Sequence, residues 1–172
     1  SNLLDVNNFD KDNIFLDISR FNLHDSIRKT AEALEGVAAK KDIHFDLELS
    51  DTEPLWVSGD KDKIQQVLHN LMDNAVKFSH EGSSILISTR EKGNRVFVSV
   101  KDSGIGIPKD DLGKIFERFY KTDLSRGKDK LGTGLGLSIC KEIITAHKQN
   151  LDVVSTEGVG SEFVFTLTKE TE

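Results

Sequence analysis

Residues 70–78 read Asn-Leu-Met-Asp-Asn-Ala-Val-Lys-Phe, and this stretch forms the second half of a predicted helix. Apolar residues recur every three or four positions up to and through it, which is the spacing of one buried helix face. They are Ile64, Val67, Leu68, Leu71 and Ala75. Asp60 stands where an N-cap is needed, so the pattern predicts a helix that begins after Asp60 and ends near Phe78.

The other side of this helix carries a polar stripe. It consists of Gln66, Asn70, Asn74 and Lys77, at spacings of four, four and three residues. Such a stripe can be a solvated helix face. It can also be a cation site, because amide oxygens coordinate Mg²⁺ without adding negative charge beside phosphates. The spacing alone leaves both interpretations open.

Helices and strands follow one another in mixed groups on both sides of this helix. The patterns predict helices at 23–40, 110–119 and from about 134 to 147. They predict strands at 43–49, 55–57, 84–90, 95–101, 151–155 and 161–167, with a turn at Gly93 and Asn94. Because regular βαβ alternation is absent, the expected fold is α+β, a two-layer sandwich with a mostly antiparallel sheet under helices.

Composition excludes several classes of protein. The chain has 172 residues, a net charge of -6, one cysteine and five histidines. Its basic residues are scattered, so nucleic acid is not expected as a partner. A single cysteine, Cys140, excludes an internal disulfide and is expected to be a buried thiol, and the histidines lack the spacing of a zinc site. No segment approaches the roughly 18 to 20 apolar residues that span a bilayer.

Two glycine-rich stretches carry further chemistry. The first, Asp102 to Pro108, follows a predicted strand, where a carboxylate can accept a hydrogen bond from an exocyclic amine and glycines let a flat ring approach. A simple tight turn is the alternative. The second, Gly132 to Leu137, leads into a helix, whose exposed amides and dipole favour phosphate. It lacks the strand that precedes a dinucleotide fingerprint and the lysine of a Walker loop. Basic residues between the two stretches indicate a cover over a polyphosphate, and a merely solvated loop is the alternative.

The order of these motifs resembles that of a known family. Residues 70–78, 102–107, 116–120 and 132–137 closely resemble the asparagine, first glycine, phenylalanine and second glycine boxes of bacterial sensor histidine kinase catalytic domains. The similarity extends from about Phe21 to Leu167. It implies a Bergerat-type ATP-binding fold of the superfamily that also contains gyrase-type ATPases.

The resemblance implies roles for individual residues. Asn70 and Asn74 are expected to hold Mg²⁺ and, with Lys77 and Lys121, to serve phosphoryl transfer from ATP. Asp102 is expected to read the adenine amine. The nucleotide site as a whole is expected to contain Asn70, Asn74, Lys77, Phe78, Asp102, Gly104, Gly106, Ile107, Tyr120, Gly132, Thr133, Gly134, Leu135 and Gly136.

The resemblance also implies a domain organisation. Residues 1–20 are expected to be the end of an upstream dimerisation helix and a linker, 21–168 the catalytic domain with a lid at about 108–132, and 169–172 a tail. The phosphoacceptor histidine is expected on a dimerisation domain outside this chain, with a response regulator as a partner of the full-length protein. The fragment is expected to be monomeric and cytoplasmic, and the parent a homodimer anchored in the bacterial cell membrane.

Three alternatives remain open. A gyrase-like hydrolase and a protein-serine kinase belong to the same superfamily, and a nucleotide-dependent interaction module needs no chemistry at all. Asn70 argues against efficient hydrolysis, because gyrase-type enzymes typically carry there a glutamate that activates water. The chain also departs from the family after His147, where Lys148, Gln149 and Asn150 replace a commonly glycine-rich turn.

Overall fold

A computed structural model describes residues 14–117 and 136–171 of the chain, which form seven strands, three α-helices and a short 3-10 helix. The strands are β1 (Ser19–Asn22), β2 (His44–Glu48), β3 (Trp56–Gly59), β4 (Ser84–Lys92), β5 (Arg95–Asp102), β6 (Leu151–Thr156) and β7 (Gly160–Lys169). The helices are α1 (Leu23–Ala39), α2 (Lys61–Phe78) and α3 (Gly136–Ala146), and the 3-10 helix is Lys109–Asp111.

The strands form one sheet in the order β1-β3-β7-β5-β4-β2, and β6 pairs with the N-terminal part of β7. Every described pair is antiparallel except β2 with β4, which is parallel. The three helices pack against this sheet, so the predicted α+β sandwich with a mostly antiparallel sheet is confirmed. The buried residues of α2 and the apolar residues of β4, β5 and β7 form one hydrophobic core.

Several predicted boundaries are corrected by the structure. The predicted helix at 110–119 is wrong in its described part, where a 3-10 helix at Lys109–Asp111 gives way to turns through residue 116. A segment this short, with Gly113 inside it, gains too little to hold an α-helix. The strand predicted at 55–57 lies at Trp56–Gly59, and β1 was not predicted because its pairing with β3 leaves no local pattern.

Asp60 ties three segments together at the start of α2. Its carboxylate accepts a hydrogen bond from the Lys63 amide at 3.2 Å, as an N-cap does, and another from the Asp17 amide at 2.9 Å. Its own amide donates to Nε2 of His147 at 2.9 Å. Burial lowers the pKa of His147, which favours the neutral ring that this hydrogen bond requires. The start of α2 is therefore held by Asp17, which precedes it in the chain, and by His147, which follows it.

Lys148 explains how the chain leaves α3 without a glycine. Its φ is 60°, in the left-handed region, and its amide donates to the Thr145 carbonyl at 2.8 Å. The Gln149 amide donates to the Ile144 carbonyl at 3.1 Å, which completes a Schellman motif. The backbone thus adopts the turn that glycine usually makes, and lysine adopts it at a conformational cost.

Lys148→Gly is expected to stabilise the protein by about 1 kcal/mol, because glycine adopts a left-handed conformation without a Cβ penalty. The melting temperature should rise by about 2–4 °C. Asp42→Gly is the matched comparison, since Asp42 has a φ of 55° after α1, and aspartate tolerates this region better than lysine. Thermal unfolding of both variants measures the difference, and a less stable Lys148→Gly variant would contradict the interpretation.

Candidate functional site

The polar stripe of α2 lies along one side of the helix, with its apolar face turned into the core. Asn70, Asn74 and Lys77 are half-buried, and Gln66 is exposed. Nζ of Lys77 lies 3.4 Å from Oδ2 of Asp73, one turn earlier on the same helix. Asp73 was not among the predicted site residues, although its spacing from Lys77 is that of a helical ion pair. The pair keeps a lysine and a carboxylate together beside the two amides.

Asn70 connects α2 with the beginning of α3. Its Nδ2 donates to the Gly136 carbonyl oxygen at 3.5 Å, a long hydrogen bond, and its side chain also interacts with the thiol of Cys140. The structure therefore brings Asn70 together with Gly136, the last glycine of the second glycine-rich stretch. Cys140 is fully buried, which confirms the predicted buried thiol, and this burial raises its pKa to about 12.

Asp102 ends β5 and is buried, at 8% exposure. Its Oδ1 accepts hydrogen bonds from the amides of Gly104 at 2.9 Å and Ser161 at 3.3 Å. Among the residues that the structure describes, no hydrogen bond engages Oδ2. Burial raises the pKa of Asp102 above its ordinary value, while the two amides and the charge of His80 act in the opposite direction. Two backbone amides thus engage Oδ1, while Oδ2 keeps its capacity to accept a hydrogen bond.

The loop after Asp102 is held on one side by α2. The Ile105 amide donates to the Phe78 carbonyl oxygen at 3.1 Å. A Cβ on Gly104 would collide with this same oxygen, so only glycine lets the loop lie against the end of α2. Phe78 thus connects the helix that carries Asn70 and Asn74 to the loop that carries Asp102.

The same loop is held on its other side by the hairpin of β6 and β7. The Ile107 amide donates to the Ser155 hydroxyl at 2.8 Å, and the Gly158 amide to the Ile105 carbonyl at 2.7 Å. Gly106 has a φ of 71°, and a Cβ there would meet the Thr156 carbonyl. A Cβ on Gly160 would meet the Asp102 carbonyl in the same way.

From the sequence, the glycines of this loop were interpreted as positions that let the flat ring of a ligand approach the backbone. The structure adds that they let the loop pack between α2 and the hairpin. Ser155, Gly160 and Ser161 were not predicted as site residues, because they contact the loop from strands that are distant from it in sequence. Six predicted site residues lie outside the described part of the chain, so the structure places none of them: Tyr120, Lys121, Gly132, Thr133, Gly134 and Leu135.

Within residues 14–117 and 136–171, no cluster of three or more His, Cys, Asp and Glu side chains could hold a metal ion. Around Lys77, the oxygen atoms that could coordinate a metal ion belong to the amides of Asn70 and Asn74 and to the neighbouring carboxylate of Asp73, which is paired with Lys77. Such hard oxygen atoms suit Mg²⁺, which is commonly held by few protein ligands together with substrate phosphates. No helix in the described segments is long and apolar enough to span a bilayer.

The sequence matches a known protein family and several curated proteins. The family model for histidine kinase-, DNA gyrase B- and HSP90-like ATPases matches residues 59–171. Over 115 residues the chain is 47% identical to sensor histidine kinase WalK of Bacillus subtilis, which covers 66% of this chain and 19% of WalK. It is 44% identical over 115 residues to sensor protein SrrB of Staphylococcus aureus, covering 67% of this chain and 20% of SrrB. The chain spans about a fifth of the length of these curated relatives.

Solved structures agree in fold over most of the chain. The nucleotide-free catalytic domain of histidine kinase ThkA has a TM-score of 0.77 and 36% identity, covering 89% of this chain and 96% of that one. Full-length ShkA in complex with AMPPNP has a TM-score of 0.81 and 28% identity, covering 99% of this chain and 37% of ShkA. The ThkA match extends over nearly the whole of that catalytic-domain structure.

Gly104→Ala is expected to destabilise the protein by about 1–3 kcal/mol, because the added Cβ must displace either the loop or the end of α2. Gly113→Ala is the control, since nothing lies within 4 Å of a Cβ added there, and its effect should stay within about 0.5 kcal/mol. Denaturant unfolding measures both. Equal stability of the two variants would show that the close contact between Gly104 and Phe78 does not constrain the loop.

Proposed function

The chain belongs to the family of histidine kinase-, DNA gyrase B- and HSP90-like ATPases, and we propose that it is the catalytic domain of a sensor histidine kinase that transfers the γ-phosphate of ATP to a histidine on a separate domain. The observation that carries this proposal is the contact between the Phe78 carbonyl and the Ile105 amide. This hydrogen bond holds α2, which carries Asn70 and Asn74, against the Asp102 loop, so that one nucleotide can contact both.

The adenine end of the proposed site is formed by the Asp102 loop. With Oδ1 of Asp102 held by two backbone amides, Oδ2 is the atom that accepts a hydrogen bond from the exocyclic amine of adenine. The buried setting strengthens such a bond, since water competes less for the carboxylate. Phe78, Gly104, Gly106 and Ile107 line the proposed base site, as the resemblance implies.

The phosphate end of the proposed site is the part of the polar stripe that lies between Asn70 and Lys77 on α2. The Oδ1 atoms of Asn70 and Asn74 are proposed ligands of Mg²⁺, and Lys77 a proposed phosphate contact. Nδ2 of Asn70 points at the Gly136 carbonyl, which leaves the oxygen of that amide as the coordinating atom. When bound, Mg²⁺ supplies charge neutralisation to the phosphates. Lys121, Tyr120 and residues 132–135 remain proposals that rest on the resemblance, as does a lid at about 108–132.

The described residues favour phosphoryl transfer to an external acceptor over hydrolysis. Asn70 carries an amide, which cannot remove a proton from water, where gyrase-type ATPases are expected to have a glutamate. Phosphoryl transfer depends mainly on positioning and charge stabilisation, and the attacking imidazole can come from another domain. Slow turnover of ATP by the chain alone is therefore expected.

The partners and setting of the whole protein are further proposals. The relatives WalK and SrrB are sensor proteins several times longer than this chain. We propose that the parent is a membrane-anchored homodimer whose cytoplasmic part contains this domain at about 21–168, preceded by a dimerisation helix and linker, and that it passes the phosphoryl group to a response regulator.

Labelling with γ-³²P-ATP tests the proposed reaction. The chain is mixed with the parent protein's dimerisation domain, and a phosphohistidine is expected on that domain in the presence of Mg²⁺. Asn74→Ala should reduce the initial rate at least about a hundredfold, as expected for loss of a group that stabilises transferred charge. Gln66→Ala should label normally, because Gln66 is exposed on the same stripe two turns away.

The competing functions give different outcomes in this experiment. Rapid phosphate release without labelling would indicate a gyrase-like hydrolase, and a labelled serine would indicate a serine kinase. Nucleotide binding with no transfer to any residue would indicate an interaction module. Each of these results contradicts the proposed histidine kinase activity.

Asp102→Asn is expected to separate ATP binding from folding. The oxygen of the introduced side-chain amide can keep the two backbone amides, which leaves the Nδ2 donor facing the adenine amine, so ATP binding should weaken about tenfold or more. The pKa of Asp102 is raised in the folded state. Ionisation of this side chain therefore lowers the stability of the folded protein once the pH exceeds the pKa of an aspartate in the unfolded chain, about 3.9. At pH 7 the variant should therefore be at least as stable as the wild type, and this advantage should vanish below about pH 4.

Calorimetric titration with ATP and denaturant unfolding at the two pH values measure both effects. A folded Asp102→Asn variant that binds ATP like the wild type would remove Asp102 from the base site.

A further inference from the structure

The last carbonyl groups of α2 accept hydrogen bonds from groups that lie outside the helix. The last carbonyls of a helix have no intrahelical partner. The Ser79 hydroxyl donates to the Ala75 carbonyl at 2.6 Å, and the Ile105 amide to the Phe78 carbonyl at 3.1 Å. The carbonyls between these two are reached by a side chain from the end of α1.

That side chain is Lys41. Its Nζ donates to the carbonyl oxygens of Val76 at 2.8 Å, Lys77 at 3.2 Å and Ser79 at 2.9 Å. An ammonium group has three N–H donors, so one side chain can serve three carbonyls. Its positive charge also lies at the negative end of the α2 dipole, where a cation is stabilised.

The backbone of Lys41 is held as well. Its carbonyl accepts a hydrogen bond from the Gly82 amide at 3.0 Å, in the turn between α2 and β4. Its amide donates to the Ala38 carbonyl at 3.0 Å, in the turn that ends α1. The residue is therefore fixed at both its main chain and its ammonium, and it joins the end of α1 to the end of α2.

We propose that Lys41 is a positioning residue for the nucleotide site, an inference that rests on the proposed function. By holding the Val76, Lys77 and Ser79 carbonyls, Lys41 keeps the last turn of α2 closed. Phe78 belongs to that turn, and its carbonyl is the acceptor on which the Ile105 amide and the close approach of Gly104 depend. Lys41 thus positions the Asp102 loop through Phe78 and does not itself contact the nucleotide.

The proposal predicts a coupled effect on both ends of the site. Lys77 lies in the same last turn, and its carbonyl is one of the three that Lys41 holds. If this turn frays, the Asp102 loop loses its anchor and Lys77 loses its fixed position on the helix. A residue that only stabilised α1 would leave the folded site unchanged.

Three variants test this inference. Lys41→Met keeps the apolar stem and removes the donors, and Lys41→Arg restores a cation with several donors. Lys40→Met is the matched control, because Lys40 is the neighbouring lysine and its side chain is exposed. ATP binding is measured by calorimetry at a temperature where denaturant unfolding shows each variant to be folded. Exchange of the Ile105 amide with deuterium is followed by NMR on the same samples.

Lys41→Met is expected to raise the Kd for ATP about tenfold, which corresponds to ~1.4 kcal/mol, and to speed exchange of the Ile105 amide. Lys41→Arg should restore most of both, and Lys40→Met should change neither. If Lys41→Met is too unstable to measure, Lys41→Gln replaces it under the same criteria. The inference would be overturned by a folded variant that binds ATP like the wild type, and equally by one whose Ile105 amide exchanges like that of the wild type.

The experiment also separates this inference from the proposed function. If the wild-type chain binds no ATP, the proposed function fails, whereas faster Ile105 exchange in Lys41→Met would still show that Lys41 holds the loop. If the wild type binds ATP and Lys41→Met binds equally well, only the role of Lys41 is lost.

Discussion

The contact between the end of α2 and the start of the Asp102 loop is the constraint on which the rest of the site depends. A helix end leaves carbonyls that must find donors, and here the Phe78 carbonyl finds one in the Ile105 amide. Phe78 follows Asn74 by four residues, which is about 6 Å along the helix axis. The hydrogen bond therefore sets how far the amides of α2 lie from the carboxylate of Asp102. The spacing between the adenine end and the phosphate end of the proposed site follows from this hydrogen bond.

The burial of Asp102 is a cost that the fold accepts at this position. A carboxylate at 8% exposure loses much of its hydration, and the two amides on Oδ1 compensate only in part, since its pKa stays raised. A fully paired aspartate would be cheaper to bury. The remaining hydrogen-bonding capacity of Oδ2 is what a ligand amine can use, and such partial satisfaction is typical of sites that bind rather than of structural cores.

The sequence alone predicted those parts of the fold whose causes are local. The 3.6-residue period of α2 and the alternation of β4 and β5 follow from burial of one face, and Asp60 showed where α2 begins. The strand β1 was missed because Ser19 and Arg20 are exposed and only pairing with β3 makes them a strand. The contact of Gly104 with Phe78, and the reach of Lys41 across to α2, join segments that are distant in sequence. No local pattern can report contacts of this kind.

Charge explains why the polar stripe is built from amides. The chain carries a net charge of -6, and a nucleotide triphosphate is itself strongly negative, so the two repel over the distances that salt leaves unscreened. Asp73 and Lys77 neutralise each other, and Asn70 and Asn74 add no charge. With Asp73 beside it, the part of α2 from Asn70 to Lys77 is thus locally neutral in an acidic protein. Carboxylates in place of the two amides would bind a divalent ion more strongly, but they would also face the phosphates with like charge. Amides at both positions would allow a cation and a polyphosphate to occupy the same surface, as the proposed kinase site requires if it depends on charge neutralisation.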